Sequence, residues 1–169
     1  VDNVPFTISA TASSTSINVN QELVISVDLA EQIRTANVTY EIAHSFDSKG
    51  ISGTITNPLG VADQAGVFKP IEKGTHQYKF KPSGKGIAVI TFKVKDSNGQ
   101  IKEATVTITV ENVPFTFTAT PSEKAVRLNE KTILNFNLIP NAQNSDGVTY
   151  KLVYQPVEGD GTMTDSNGT

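Results

Sequence analysis

The apolar residues of this chain fall at every second position in most of its hydrophobic stretches. Leu23, Ile25, Val27 and Leu29, for example, alternate with polar or small residues. This period of two is typical of β-strands with one buried face, because successive side chains of a strand point to opposite sides. The same alternation occurs in Phe6–Ala10, Val38–Ile42, His76–Phe80, Ala88–Val94 and Ala104–Val110. No segment keeps a helical period for more than about two turns, so the pattern predicts an all-β chain.

Turn residues separate these segments. Asp96-Ser97-Asn98-Gly99 lies between two of them, and its Asn-Gly pair predicts a hairpin because both residues tolerate positive φ. Pro82–Gly86 separates the segment around Tyr78 from the segment around Ile90. About seven to nine short strands per module predict an immunoglobulin-like sandwich of two antiparallel sheets. The chain has no cysteine and no tryptophan, so hydrophobic burial alone must hold the module together.

The sequence repeats itself at a spacing of 109 residues. The aligned segments are Asn3–Thr7 with Asn112–Thr116, Ile25–Leu29 with Leu134–Leu138 and, after a one-residue insertion, Val38–Tyr40 with Val148–Tyr150. A period of this length is typical of tandem domains rather than of small repeats. We therefore predict one complete β-sandwich module in residues 1–111 and the first half of a second, homologous module in residues 112–169.

The second copy aligns only with the first part of the first copy. The chain begins at Val1 without an initiator methionine, and we expect it to be a piece of a longer protein. Residues 114–169 are expected to supply about five strands without the long C-terminal ones. A core face and sheet edges are then uncovered, and such edges accept strands from other chains. This predicts either a strand-exchanged homodimer through residues 112–169 or poor order beyond about Val113.

Composition and charge exclude several classes of protein. With 37% hydrophobic residues and a net charge of −3, the chain is too apolar and too weakly charged for wholesale disorder. It lacks the basic surplus of a nucleic-acid binder. No apolar run approaches the roughly 20 residues that span a bilayer. Without cysteine, disulfides, thiol catalysis and thiolate zinc sites are excluded.

Residues for catalysis are scarce. His44 and His76 both lie in alternating segments, and the counterpart of His44 in the second copy is Tyr154. This exchange indicates a space-filling side chain rather than a ligand. The sequence contains no Gly-x-Ser-x-Gly, His-Glu-x-x-His or phosphate-loop motif. We predict that the protein is not an enzyme and has no catalytic residue and no cofactor.

Two further features concern metals and binding. Asp96 and Asn98 are weak calcium candidates, because they place two oxygen-bearing side chains two residues apart, but the hairpin turn explains both residues without a metal. No metal site is therefore predicted. Ser45–Thr75 is glycine-rich and weakly periodic, and loops on a rigid sandwich often carry binding function. Phe46 and Tyr154 are the candidate interaction residues.

Several motifs carry a resemblance to a known family. They are the Val-Pro-Phe-Thr segments at 4–7 and 113–116, the segment Thr149–Pro156 followed by Gly159, Gly161, Met163 and Asn167–Thr169, and the hairpin residues Asp96, Gly99 and Gln100 after Tyr78. In these motifs the chain resembles the TraQ family of conjugative-transposon proteins from Bacteroides and relatives. The first copy departs from the family pattern, because it carries His44–Asp47 in place of Tyr-x-Gln-Pro.

The resemblance implies a small exported β-sandwich protein, often lipid-anchored, with a role in conjugative DNA transfer and no catalytic residues. We therefore expect a non-enzymatic, extracytoplasmic module of a bacterial cell-envelope protein, in the periplasm or at the outer-membrane surface. Its expected partners are other envelope proteins, bound through loops and sheet edges, and not nucleic acid. The alternative is an adhesin or a carbohydrate-binding surface protein with tandem immunoglobulin-like repeats.

Overall fold

The computed structural model describes residues 4–32, 37–48, 51–141, 147–155, 158 and 161–165. All regular structure in these residues is β-strand, which confirms the predicted all-β class. The strands are β1 (Phe6–Ala12), β2 (Ser16–Asn18), β3 (Leu23–Glu31), β4 (Tyr40–Ser48), β5 (Gly53–Thr56), β6 (Lys69–Ile71), β7 (Gly74–Pro82), β8 (Gly86–Asp96), β9 (Ile101–Glu111), β10 (Phe115–Pro121) and β11 (Leu134–Pro140).

The first nine strands form two sheets. One is a four-stranded sheet in the order β1-β3-β7-β5, and the other is a five-stranded sheet in the order β2-β9-β8-β4-β6. Every pairing is antiparallel except that of β2 with β9, which is parallel. A third sheet consists of β10 and β11 alone.

The apolar faces of the first two sheets enclose the core. Tyr78 on one sheet and Phe92 on the other pack with ring centroids 4.9 Å apart. Phe6 and Tyr40 make a second contact of this kind at 5.2 Å. The side chains with no exposed surface come from both sheets and are Ile25, Val27, Phe80, Ala88, Ile90, Phe92, Val94 and Ile108. The predicted sandwich is thus confirmed, whereas its immunoglobulin-like character stays a prediction.

The hairpin between β8 and β9 forms where the Asn-Gly pair predicted it. The two strands pair from Gly86 opposite Val110 to Lys95 opposite Ile101. Gly99 has a φ of 87°, a conformation that costs little without a Cβ. The turn thereby sets the register in which β8 and β9 pair.

The pairing of β10 with β11 repeats that of β1 with β3. Phe6 lies opposite Glu31, and Phe115 lies opposite Pro140. Phe115 lies 109 residues after Phe6, and Pro140 lies 109 residues after Glu31. Every other pair of the β10–β11 ladder matches a pair of the β1–β3 ladder at the same spacing.

The connections and contacts around these strands repeat as well. Asn20 and Asn129 both have a φ of 67°. Phe115 packs edge-to-face on Tyr150 at 5.1 Å, as Phe6 packs on Tyr40. The backbone bonds Ser13 N–H to Val24 C=O and Ser122 N–H to Ile133 C=O are both 2.8 Å long.

The described part of residues 112–169 contains two strands rather than the expected five. In the first sandwich β2 pairs only with β9, and β4 pairs with β6 and β8. A strand needs a neighbour that satisfies its backbone groups, and none of the described strands pairs with residues 125–127 or 147–155. Pro156, Gly159 and Asn167–Thr169, which contribute to the resemblance, lie outside the described residues.

Replacing Phe92 by alanine tests the core. Phe92 is fully buried against Tyr78, so we expect Phe92→Ala to lower the free energy of unfolding by about 3–5 kcal/mol. The matched control is Ile87→Ala on the same strand, because Ile87 is 48% exposed and its loss should cost less than about 1 kcal/mol. Urea unfolding measures both, and equal losses would contradict the packing.

Candidate interaction site

The crossover segment, residues 57–68, connects β5 to β6 and is fixed to both sheets. The Asn57 side-chain oxygen accepts the backbone N–H of Leu59 and of Val61 at 3.0 and 3.1 Å. The N–H of Asp63 donates to the carbonyl of Ile55 at 2.7 Å, and the N–H of Gly66 donates to the carbonyl of His44 at 2.8 Å. Although the segment contains little strand structure, these hydrogen bonds fix the course of its backbone.

A buried polar cluster holds this segment at its centre. His44 on β4 is 4% exposed, and its Nδ1 lies 3.3 Å from the Asp63 carboxylate, whose side chain is 7% exposed. The Lys69 ammonium forms an ion pair with the same carboxylate. Lys69 therefore compensates the negative charge of Asp63. Without such a partner, the removal of this charge from water would be unfavourable in free energy.

Burial favours the neutral form of His44. It lowers the pKa of His44 below its ordinary value, whereas the nearby Asp63 carboxylate acts in the opposite direction and Lys69 adds to the lowering. Burial is the largest of these causes, since an imidazolium loses more hydration than an imidazole.

A cavity of about 290 Å³ lies beside this cluster. Its lining residues are His44, Phe46, Gly53, Thr54, Ile55, Asp63 and Ala65. The lining includes polar side chains, His44 and Asp63, and apolar ones, Phe46 and Ile55. Such a cavity can accommodate a small group with both kinds of surface.

The two predicted interaction residues have different surroundings. Phe46 is half-buried on β4, and its ring lies 5.5 Å from that of Phe80 on the facing sheet. It therefore fills part of the core and lines the cavity. Tyr154 is 56% exposed in a segment without strand structure. The structure does not bring them into one site, and both stay candidates.

The predicted calcium candidates belong to the hairpin. One carboxylate oxygen of Asp96 accepts the N–H groups of Asn98 and Gln100 at 2.9 and 2.7 Å. Asp96 is 4% exposed, and its other oxygen has no hydrogen-bond partner. Asn98 is exposed in the turn. Within the described ranges, no three acidic, histidine or cysteine side chains come together as a metal site would require.

An uncovered apolar surface lies on β10 and β11. We call it the open face; it consists of Phe115, Phe117, Leu134, Phe136 and Leu138, which are 36–50% exposed. Four of their counterparts, Phe6, Ile25, Val27 and Leu29, are at most 2% exposed, and the fifth, Ile8, is half-buried. Phe117 and Phe136 stack on each other at 5.8 Å without a covering sheet.

A second cavity, of about 460 Å³, lies beside the open face. Asn20 and Lys85 of the first sandwich line it together with Val113, Phe115 and Tyr150. The Tyr150 hydroxyl is buried without a hydrogen-bond partner. The cavity joins residues that are distant in sequence, so no local pattern could predict it.

The sequence predictions also missed Asp63 and Lys69. Neither residue lies in an alternating segment, and their contact with His44 depends on the path of the crossover segment. The relevant signal is Asn57, because asparagine favours turns in which its side chain caps nearby N–H groups. Asn57 therefore indicates a turn, but it does not indicate which residues the turn brings into contact.

The solved structures that are similar to this chain include the following three. The lipoprotein from Bacteroides thetaiotaomicron is 18% identical, with a TM-score of 0.53 over 64% of this chain and 82% of that chain. A conjugative transposon lipoprotein from Bacteroides eggerthii is 12% identical, with a TM-score of 0.52 over 60% of this chain and 95% of that chain. A conjugative transposon protein from Bacteroides vulgatus is 12% identical, with a TM-score of 0.54 over 64% of this chain and 87% of that chain.

The structural neighbours thus come from the group that the sequence resembles, and at these identities the likeness shows a shared fold. None of the three is named as an enzyme. No protein-family model matches the chain, and no curated protein matches it. Among the residues that the structure describes, no helix has the length and apolarity needed to cross a bilayer.

The pH dependence of stability tests the environment of His44. Its folded-state pKa lies below the ordinary 6.5, so protonation favours the unfolded chain. The stabilisation is complete above about pH 6.5 and is lost as the pH falls towards the lowered pKa. We expect His44→Gln to lose less stability than wild type between about pH 7 and pH 5 in urea unfolding. His76→Gln is the matched control and should lose as much stability as wild type over this pH range. A loss in His44→Gln as large as that of wild type would contradict this prediction.

Proposed function

We propose that this chain is a non-enzymatic, extracytoplasmic part of a bacterial cell-envelope protein that serves conjugation through protein–protein contacts. The likeness in fold to the Bacteroides lipoproteins, two of the three neighbours being named as conjugative transposon proteins, carries this proposal. We also propose a lipid anchor on the full-length protein, which is supported by two of the three neighbours being named as lipoproteins.

We further propose that residues 1–111 and 112–169 are two homologous units, the second represented by its first half. The repeated register of β10 and β11 supports this division. The shared φ of Asn20 and Asn129 supports it as well. The solved neighbours match 60–64% of the chain, a share close in length to residues 1–111.

The described surfaces are better suited to binding proteins than to catalysing a reaction. The His44–Asp63 pair is tied to Lys69 and to the crossover segment, so it stabilises a loop. The crossover segment presents exposed apolar side chains, among them Leu59 at 87% and Val61 at 59% exposure, and exposed apolar surface can mark a protein-binding site. Contact through the crossover segment is therefore the proposed mode of action.

Deletion of the gene in a Bacteroides host that carries the element tests the proposal. We expect the frequency of conjugative transfer to fall and to return on complementation with the wild-type gene. Complementation with Leu59→Asp should fail, because Leu59 is 87% exposed in the crossover segment and a carboxylate there opposes docking of an apolar surface. Thr107→Asp, which adds the same charge at an exposed position of β9, is the matched control and should restore transfer. Unchanged transfer after deletion would refute the proposed function.

A further inference from the structure

We propose that the cavity beside the crossover segment binds a single ring of a neutral sugar. The hydroxyl groups of the sugar bond to His44, Asp63 and the backbone of β5, while its C–H groups contact Phe46 and Ile55. The inference goes beyond the proposed function and does not depend on it. It assigns a ligand class to a site within residues 1–111.

The walls of this cavity belong to the first sandwich alone. Every lining residue lies between positions 44 and 65. One wall is β4, which pairs with β6 and β8, and another is β5, which pairs with β7. The crossover segment supplies the remainder. The cavity therefore does not depend on residues 112–169.

Hydrogen bonds fix these walls before any ligand binds. The N–H of Asp63 donates to the carbonyl of Ile55 at 2.7 Å, and the N–H of Gly66 donates to the carbonyl of His44 at 2.8 Å. A cavity with fixed walls loses little conformational entropy when it takes up a ligand. Its lining includes the exposed residues Thr54 and Ala65, so it is open to solvent.

The polar side chains of the cavity offer hydrogen-bond acceptors. A neutral imidazole carries one N–H and one bare nitrogen. Nδ1 of His44 lies 3.3 Å from the Asp63 carboxylate. Although this contact is not a hydrogen bond, the negative charge favours the proton on Nδ1 and leaves Nε2 as the acceptor. A ligand that donates hydrogen bonds therefore suits this side of the cavity.

The backbone of β5 offers donors from the other side. The carbonyl of Ile55 points towards the crossover segment, because it accepts the N–H of Asp63. In an antiparallel strand the N–H and C=O of one residue point to the same side, so the N–H of Ile55 points there as well. Gly53, two residues earlier, has the same orientation. Hydroxyl groups both donate and accept, and they match both sides.

The charges around the cavity disfavour an ionic ligand. Asp63 carries the one formal charge among the described lining residues, and Lys69 already pairs with it. Burial favours the neutral form of His44. An ion that entered would lose its hydration without gaining an unpaired opposite charge. The ligand is therefore neutral.

Size and lining favour a sugar ring over an aromatic side chain of a partner protein. About 290 Å³ lies at the lower end of the range of ligand pockets, which suits one ring. A phenol has one hydroxyl group, so it would leave several polar groups of the cavity unpaired. A sugar ring carries several hydroxyl groups around an apolar carbon skeleton and can contact Phe46 and Ile55 as well.

NMR titration of the full chain with methyl glycosides tests the inference. The probes are the methyl glycosides of glucose, galactose, mannose and N-acetylglucosamine. We expect at least one of them to shift the amide signals of Gly53–Ile55 and Asp63–Ala65 with a saturable, millimolar affinity. Cyclohexylmethanol, which has one hydroxyl group on a ring of the same size, should bind about threefold or more weakly.

Two equal substitutions in the crossover segment locate the site. Ala65→Leu places a larger side chain in the lining, and it should weaken binding of the glycoside by about tenfold. Ala62→Leu is the matched control, because Ala62 is also exposed but does not line the cavity. It should leave the affinity within about twofold of wild type.

The inference is overturned if none of the glycosides binds, or if the shifts lie outside the two lining segments. Unchanged affinity in Ala65→Leu would also overturn it. Tighter binding of p-cresol or cyclohexylmethanol than of every glycoside would assign the cavity to an apolar or aromatic group instead. The transfer experiment is independent of these results, so either proposal can fail while the other stands.

Discussion

The apolar face of a β-sheet must be covered, and this requirement organises the whole chain. Each alternating strand has one face that water disfavours, and a second sheet about 10 Å away is the usual cover. In the first sandwich β8 supplies Ile90, Phe92 and Val94 to this interior. The face of β1 and β3 is thereby closed. The face of β10 and β11 has the same strand register and no covering sheet among the described residues, so its phenyl rings are exposed.

Local alternation made most of the strands predictable from the sequence. β1, β3, β7, β8 and β9 contain the predicted segments, and β4 begins at Tyr40, within the predicted Val38–Ile42. The Asp96–Gly99 turn lies where expected. The parallel pairing of β2 with β9 was not predictable, since no local pattern specifies a neighbour far along the chain. The contact of His44 with Asp63 depends in the same way on how the crossover segment folds back. The sequence therefore predicts the region of the candidate site but not the residues that form it.

The likeness to lipoproteins of 12–18% identity follows from the same physical requirement. Many sequences satisfy a period of two, so the sandwich persists while its surface residues change. The two sequence repeats of this chain also differ at aligned positions. Glu22 aligns with Lys131, and His44 aligns with Tyr154. Differences at exposed positions, such as that of Glu22, are where partner choice resides.

Native-state hydrogen exchange resolved by residue compares the covered and the open face most directly. β3 and β11 have equivalent partners in β1 and β10, so each strand serves as the reference for the other. We expect the amides of Leu134–Pro140 to exchange many times faster than those of Ile25–Glu31, because β7 and the facing sheet protect only β3. Equal protection of the two strands would contradict the conclusion that the face and edge of β11 are uncovered.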